Sequence, residues 1–217
     1  MSYYLTIEQL HCAVAAIAKA LDQLNIDYAV MGGAAVCIMG SDPQRTTEDV
    51  DSVIHVDERN ITADKATDLL LKSSDDFIDV SRYGHVIPAY RLVIGDVERL
   101  VQMEIFDLPP WPRRPQYDLT TATRRNITLQ GHKVKFFSPE WIFREKVCSG
   151  HQRGGSAKGM QDVGDAVRML RLADPSAPEM DFTGREELAE ALKFFLSKRP
   201  DAQSLVRQKV KCDAILN

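Results

Sequence analysis

The chain has 217 residues, 44% hydrophobic and 27% charged, which is enough apolar material for a sizeable core and excludes a disordered or fibrous class. A formal net charge of −4 argues against tight, sequence-independent binding to nucleic acid. Cys12, Cys37, Cys148 and Cys212 lack zinc or disulfide spacing, Met1-Ser2-Tyr3-Tyr4 lacks the start of a signal peptide, and no apolar run approaches the roughly 18 residues of a membrane span, so a soluble cytoplasmic protein is expected.

In chain order, Thr6 and Gln9 form a capping pair, and Ile7, Leu10, Val14, Ile17 and Leu21 recur at helical spacing to about Leu24-Asn25. Residues 28–31 read as a strand, Gly32-Gly33 as a tight turn and 34–39 as a second helix. After a loop over 40–47, residues 49–56 alternate as a strand does, which puts Asp49 and Asp51 on one face. A crossover helix over 60–72 and strands over 77–82, 89–94 and 100–106 follow.

Prolines 109, 110, 112 and 115 end this first half, since each removes a ladder donor. Residues 126–129 and 133–137 read as a hairpin through Gln130-Gly131. Ser138-Pro139-Glu140 starts a helix that runs to about Ser149, followed by a flexible loop over 150–158 and a helix over 161–172. Two last helices, over 185–197 and 202–216, read as a charged C-terminal appendage. The expected class is α+β, a core over 1–137 and a helical region over 138–217.

The chemistry centres on Asp49 and Asp51. Alternate strand residues lie roughly 7 Å apart on one face, so two aspartates at i and i+2 can share a divalent ion, and hard oxygen ligands suit Mg²⁺ or Mn²⁺. Asp-x-Asp alone is also the pattern of a solvated strand edge. The preceding Gly32-Gly33 adds a place where backbone amides can approach phosphate at a helix N-terminus.

These motifs resemble the DNA polymerase β-like nucleotidyltransferase superfamily, whose signature is a Gly-Gly or Gly-Ser turn, a helix and an Asp-x-Asp strand. The run Arg45-Thr46-Thr47-Glu48-Asp49-Val50-Asp51 is most similar to AbiEii-type nucleotidyltransferases. The resemblance implies a mixed sheet flanked by helices, and transfer of a nucleoside monophosphate from an NTP to a hydroxyl with release of pyrophosphate. It implies Asp49 and Asp51 as metal ligands, with a third carboxylate on a neighbouring strand as ligand and base. Glu104 is chosen, although the family usually has aspartate there, and Asp107 stays as the alternative.

The resemblance further implies nucleotide contacts for Gly32, Gly33, Arg45, Thr47, Lys146 and Lys158, the last two in a cluster with Arg153, Asp162 and Asp165. An exposed charged face is the plainer reading of that cluster. Trp111, Arg113, Arg114, Tyr117, Arg124 and Arg125 offer a surface for an RNA acceptor, or a solvated linker. His85 and His151 have no partner spacing. The acceptor, whether RNA, protein or small hydroxyl compound, is not readable from a fold. A nucleotide-binding or interaction protein without transfer is the competing function.

Overall fold

A computed structural model describes residues 4–82, 84–107 and 118–216. They fall into two compact units, one of residues 4–107 and 118–137 and one of residues 138–216. Among the described residues, no helix is long and apolar enough to cross a membrane.

In the first unit, helix α1 (Ile7–Gln23) opens with the expected capping box, the Thr6 side chain accepting from Gln9 N while the Gln9 side chain accepts from Thr6 N. Its apolar stripe, including Leu10, Val14, Ile17 and Leu21, is almost fully buried. Strand β1 (Tyr28–Met31) leads directly into α2 (Gly32–Gly40), and β2 (Asp49–Ile54) and α3 (Ala63–Ser73) follow. The third helix starts later than its apolar pattern predicts, because Asn60 is left-handed (φ 54°) and Thr62 caps the helix by accepting from Lys65 N.

Strands β3 (Phe77–Arg82), β4 (His85–Ile94), β5 (Val97–Phe106), β6 (Arg124–Leu129) and β7 (His132–Phe137) complete one seven-stranded sheet among the described residues, in the order β3-β4-β5-β2-β1-β7-β6. The sheet is mixed: β2 pairs with β5, and β1 with β7, in parallel, and the other neighbours are antiparallel. Gln130 (φ 48°) and Gly131 (φ 77°) make the β6–β7 turn with two left-handed residues, as a tight hairpin requires. In β2, Val50 and Ser52 are fully buried while Asp49 and Asp51 are half-buried, so the strand alternates over 49–52, and Val53 and Ile54 are then both buried.

In the second unit, α4 (Pro139–Arg153) is capped by Ser138, which accepts from Trp141 N, and α5 (Ala157–Leu172) by Ser156. The expected loop over 150–158 is largely absent. Helix α4 runs four residues past Ser149, and Gly150 faces α5, where a Cβ would lie 3.3 Å from Val163 Cγ2 and 3.4 Å from Gly159 O. This glycine serves close helix packing instead of breaking the helix.

The C-terminal helices are not an appendage. Phe195 of α6 (Glu186–Lys198) packs edge-on against Phe143 of α4 at 5.9 Å, Phe182 stacks on the same ring at 6.1 Å, and all three are buried. The single last helix that the sequence suggests is divided into α7 (Gln203–Lys209) and α8 (Asp213–Leu216). Between them Val210 is extended, and Lys211 exchanges backbone bonds with Met180 and Phe182.

Candidate active site

The sheet pairing gathers three of the expected acids. Asp51 is the register partner of Met31 on one side and of Glu104 on the other, and Asp49 is the partner of Gln102. Register partners share a face, so Asp49, Asp51, Gln102 and Glu104 project together. Gln102 was not singled out from the sequence, although its place two residues before Glu104 is the signal that finds it. Asp107 is employed elsewhere: its Oδ2 accepts from Ala63 N at 2.9 Å, at the start of α3.

Gly32 meets this acid pair directly, and Gly33 meets the residues that precede it. Gly32 is left-handed (φ +66°), and a Cβ on it would lie 1.8 Å from Asp51 Oδ2 and 2.8 Å from Asp51 Cγ. A Cβ on Gly33 would lie 2.6 Å from Thr47 Oγ1 and 3.2 Å from Arg45 Nη2. Thr47, itself buried, donates from Oγ1 to Asp49 Oδ1 at 3.1 Å. The loop before β2 is tied to α2 by Cys37 Sγ, which donates to Arg45 O at 3.1 Å.

No side chain caps the N-terminus of α2, whose first turn carries no acid. Uncapped amides and the positive end of the dipole favour an anion there. A cavity of about 1080 Å³, with Leu10, Ile38 and Arg99 among its lining, reaches Arg45 and Thr47 but is not lined by Gly32, Gly33, Asp49, Asp51 or Glu104. Among the described residues, no group of three or more His, Cys, Asp or Glu is gathered closely enough to hold a metal ion.

Lys146 and its neighbours form a separate cluster inside the second unit. The Lys146 ammonium, buried between α4 and α5, donates to Asp162 Oδ1 at 2.8 Å and lies 3.9 Å from Glu145 and 4.0 Å from Asp165. Burial alone would pull this ammonium below the usual lysine range. The charges of Glu145, Asp162 and Asp165 outweigh it and hold the group well above that range. Arg153 also pairs with Asp162, and Arg168 lies 3.5 Å from Asp165. Lys158 is exposed in the first turn of α5.

Of the basic and aromatic surface expected for RNA, Trp111, Arg113, Arg114 and Tyr117 lie outside the described residues. Arg124 is engaged with Asp27 at 2.8 Å, and Arg125 is exposed on β6. His85 is exposed on β4, and His151 lies against the Phe194 ring at 5.5 Å.

Residues 16–212 match the family described as "Nucleotidyl transferase AbiEii toxin, Type IV TA system". An antigenic nucleotidyltransferase-like protein from Paracoccidioides brasiliensis, known from a crystal structure, is 51% identical with a TM-score of 0.92, the match covering 98% of each chain. Two structures of the antibiotic-resistance factor ANT(2'')-Ia are distant. The solution structure is 15% identical (TM-score 0.46, 89% of this chain and 95% of that one), and the complex with adenylyl-2''-tobramycin is 13% identical (TM-score 0.44, 88% and 97%). No curated protein sequence matches the chain.

Proposed function

We infer the reaction from kinship first: the chain belongs to the AbiEii nucleotidyl transferase family and is therefore a nucleotidyltransferase. From that premise we propose that transfer occurs at the corner where Gly32-Gly33 meets Asp49, Asp51 and Glu104. An NTP is the donor and a hydroxyl the acceptor.

The observation that carries this reading is the shared face. Asp51 and Glu104 are register partners on adjacent parallel strands, and the uncapped start of α2 stands against the Asp51 carboxylate. Such a corner offers carboxylates and phosphate-binding amides within one small region.

The donor set fits Mg²⁺ or Mn²⁺. These hard ions take oxygen ligands, and Mg²⁺ in particular is usually held by one or two protein carboxylates while water and substrate phosphates complete its shell. A corner without three closely gathered protein ligands is therefore compatible with the ion. Asp49 and Asp51 would hold it, with Glu104 alongside. When bound, it would neutralise charge on the phosphates and stabilise the attacking and leaving oxygens.

The protein's own groups then have distinct tasks. The α2 amides and the Arg45 guanidinium would orient the triphosphate for in-line attack. The acceptor oxygen forms a bond to the α-phosphorus, the α–β phosphoanhydride bond breaks, and pyrophosphate leaves. Glu104 would take the proton from the acceptor hydroxyl.

Lys146, grouped with the nucleotide ligands by family resemblance, is better explained as the cation that neutralises buried acids of α4 and α5. A cytoplasmic setting is in keeping with the four free cysteines.

The reading is tested by incubating the protein with Mg²⁺ or Mn²⁺, labelled NTPs and separate pools of RNA, protein and small hydroxyl compounds. Label should appear on one pool with equimolar pyrophosphate. NTP hydrolysis without a labelled product, or no turnover with any pool, would count against the proposal.

A further inference from the structure

The Gly-Gly turn is read above as a place for phosphate, yet its tightest contacts are with the groups that carry or hold the acids. Gly32 stands against the carboxylate of Asp51, and Gly33 against the hydroxyl of Thr47, which in turn donates to Asp49 Oδ1 at 3.1 Å. We propose that each glycine seats one aspartate, Gly32 directly and Gly33 through Thr47, and that Thr47 is a positioning residue for Asp49 and not a nucleotide contact. This inference rests on the proposal that Asp49 and Asp51 form the centre of transfer.

The geometry makes the relay specific. Thr47 is buried, so its hydroxyl cannot exchange the carboxylate for bulk water without cost. The same Oγ1 lies 3.4 Å from Asp49 O, close to both the main chain and the side chain of the residue it orients. On the other side it abuts Gly33, where any side chain would push the hydroxyl off its acceptor. Gly33 has no left-handed φ, so conformational freedom does not explain the glycine; space for Thr47 does. At Gly32 both reasons apply.

A carboxylate held by a hydroxyl on one oxygen keeps the other oriented for a ligand, as partners behind metal-binding side chains generally do. Loss of that restraint should weaken metal binding and slow transfer, with little effect on nucleotide binding itself.

The test combines substitutions at positions 33 and 47 with two readouts. The first is direct Mn²⁺ binding to the protein, followed by the electron paramagnetic resonance of free Mn²⁺. The second is kcat and NTP KM for transfer. Thr47→Val, which keeps the shape and removes the donor, should weaken Mn²⁺ binding and lower kcat by about tenfold, with KM changed less than about twofold. Thr47→Ser should restore both to near wild type. Gly33→Ala should resemble Thr47→Val, and Gly33→Ala combined with Thr47→Ala should lose clearly less than the sum of the two single losses, because the hydroxyl at 2.6 Å is gone and only the looser 3.2 Å approaches to Cβ of residue 47 and to Arg45 Nη2 remain.

A rise in NTP KM with kcat and Mn²⁺ binding unchanged would overturn the relay and make Thr47 a nucleotide contact. Additive losses at positions 33 and 47 would also overturn it. Wild-type protein that neither binds Mn²⁺ nor transfers a nucleotide would instead sink the underlying functional proposal, an outcome recognisable because it appears before any substitution.

Discussion

Two groups of charge in this molecule contain the same residue types and are built to opposite ends. At the corner of the sheet, Asp49, Asp51 and Glu104 are half-buried on one strand face, against glycine, a threonine hydroxyl and an uncapped helix start. Between α4 and α5, the carboxylates of Glu145, Asp162 and Asp165 are almost wholly buried and are matched by Lys146, Arg153 and Arg168. The first is the corner we propose as the centre of transfer, where a divalent cation would bind. The second answers its negative charge with cations of the chain itself. Acids in a sequence therefore say little until their partners are known.

The largest effect that would sharpen this contrast lies in the internal cluster. Lys146→Met should cost about 3–5 kcal/mol in urea unfolding, because three carboxylates lose their shared cation in a buried setting. The folded ammonium titrates above its unfolded value, so this contribution is complete below about pH 10.4 and is lost only as pH rises through the folded value. The gap between wild type and variant should hence stay constant from about pH 6 to 9. A variant as stable as wild type would break the comparison.

Next in size, if Glu104 is the base as we propose, Glu104→Gln should lower kcat by about a hundredfold while leaving stability within about 1 kcal/mol. Asp107→Ala should do the reverse, costing about 1 kcal/mol through loss of the bond to Ala63 N with kcat nearly intact. Kinetics and urea unfolding on the two variants separate the roles, and exchanged results would move the base to Asp107.

The smallest effect concerns the surface pair of Arg124 and Asp27. Burial raises the Asp27 carboxyl, but the bonds and charges of Arg124 and Lys135 outweigh it and hold the group below its usual range. A depressed carboxylate contributes stability above its unfolded value and loses it as pH falls. Arg124→Gln should therefore cost only about 0.5 kcal/mol at pH 7, since the pair is partly exposed, and the difference should begin to shrink only below about pH 3.9 and close as pH falls through the depressed folded value. Comparison of urea midpoints at pH 7 and pH 3 checks it.

Legibility in the sequence follows how local each cause is. The Thr6–Gln9 capping box, the Gln130-Gly131 turn and the alternation around Asp49 and Asp51 are decided within a few residues, and each appears as written. Gly150 is misleading, because what retains a glycine there is Val163 on another helix. The break in the last helix is equally hidden, since it depends on backbone bonds from Lys211 to residues some thirty positions earlier. The apolar residues of the C-terminal segment find partners only across helices, as Phe195 does on Phe143, so local charge made the segment resemble an appendage. At the candidate site, the Gly-Gly motif and the Asp pair are legible separately. Their contact through Thr47 requires the folded loop.

The most direct test of the central claim is NTP-dependent label transfer by Asp49→Ala combined with Asp51→Ala, measured beside wild type in Mn²⁺, with urea unfolding on the same samples. The account predicts a loss of at least about a thousandfold in transfer by a variant that remains folded. Undiminished transfer by the folded double variant would contradict it.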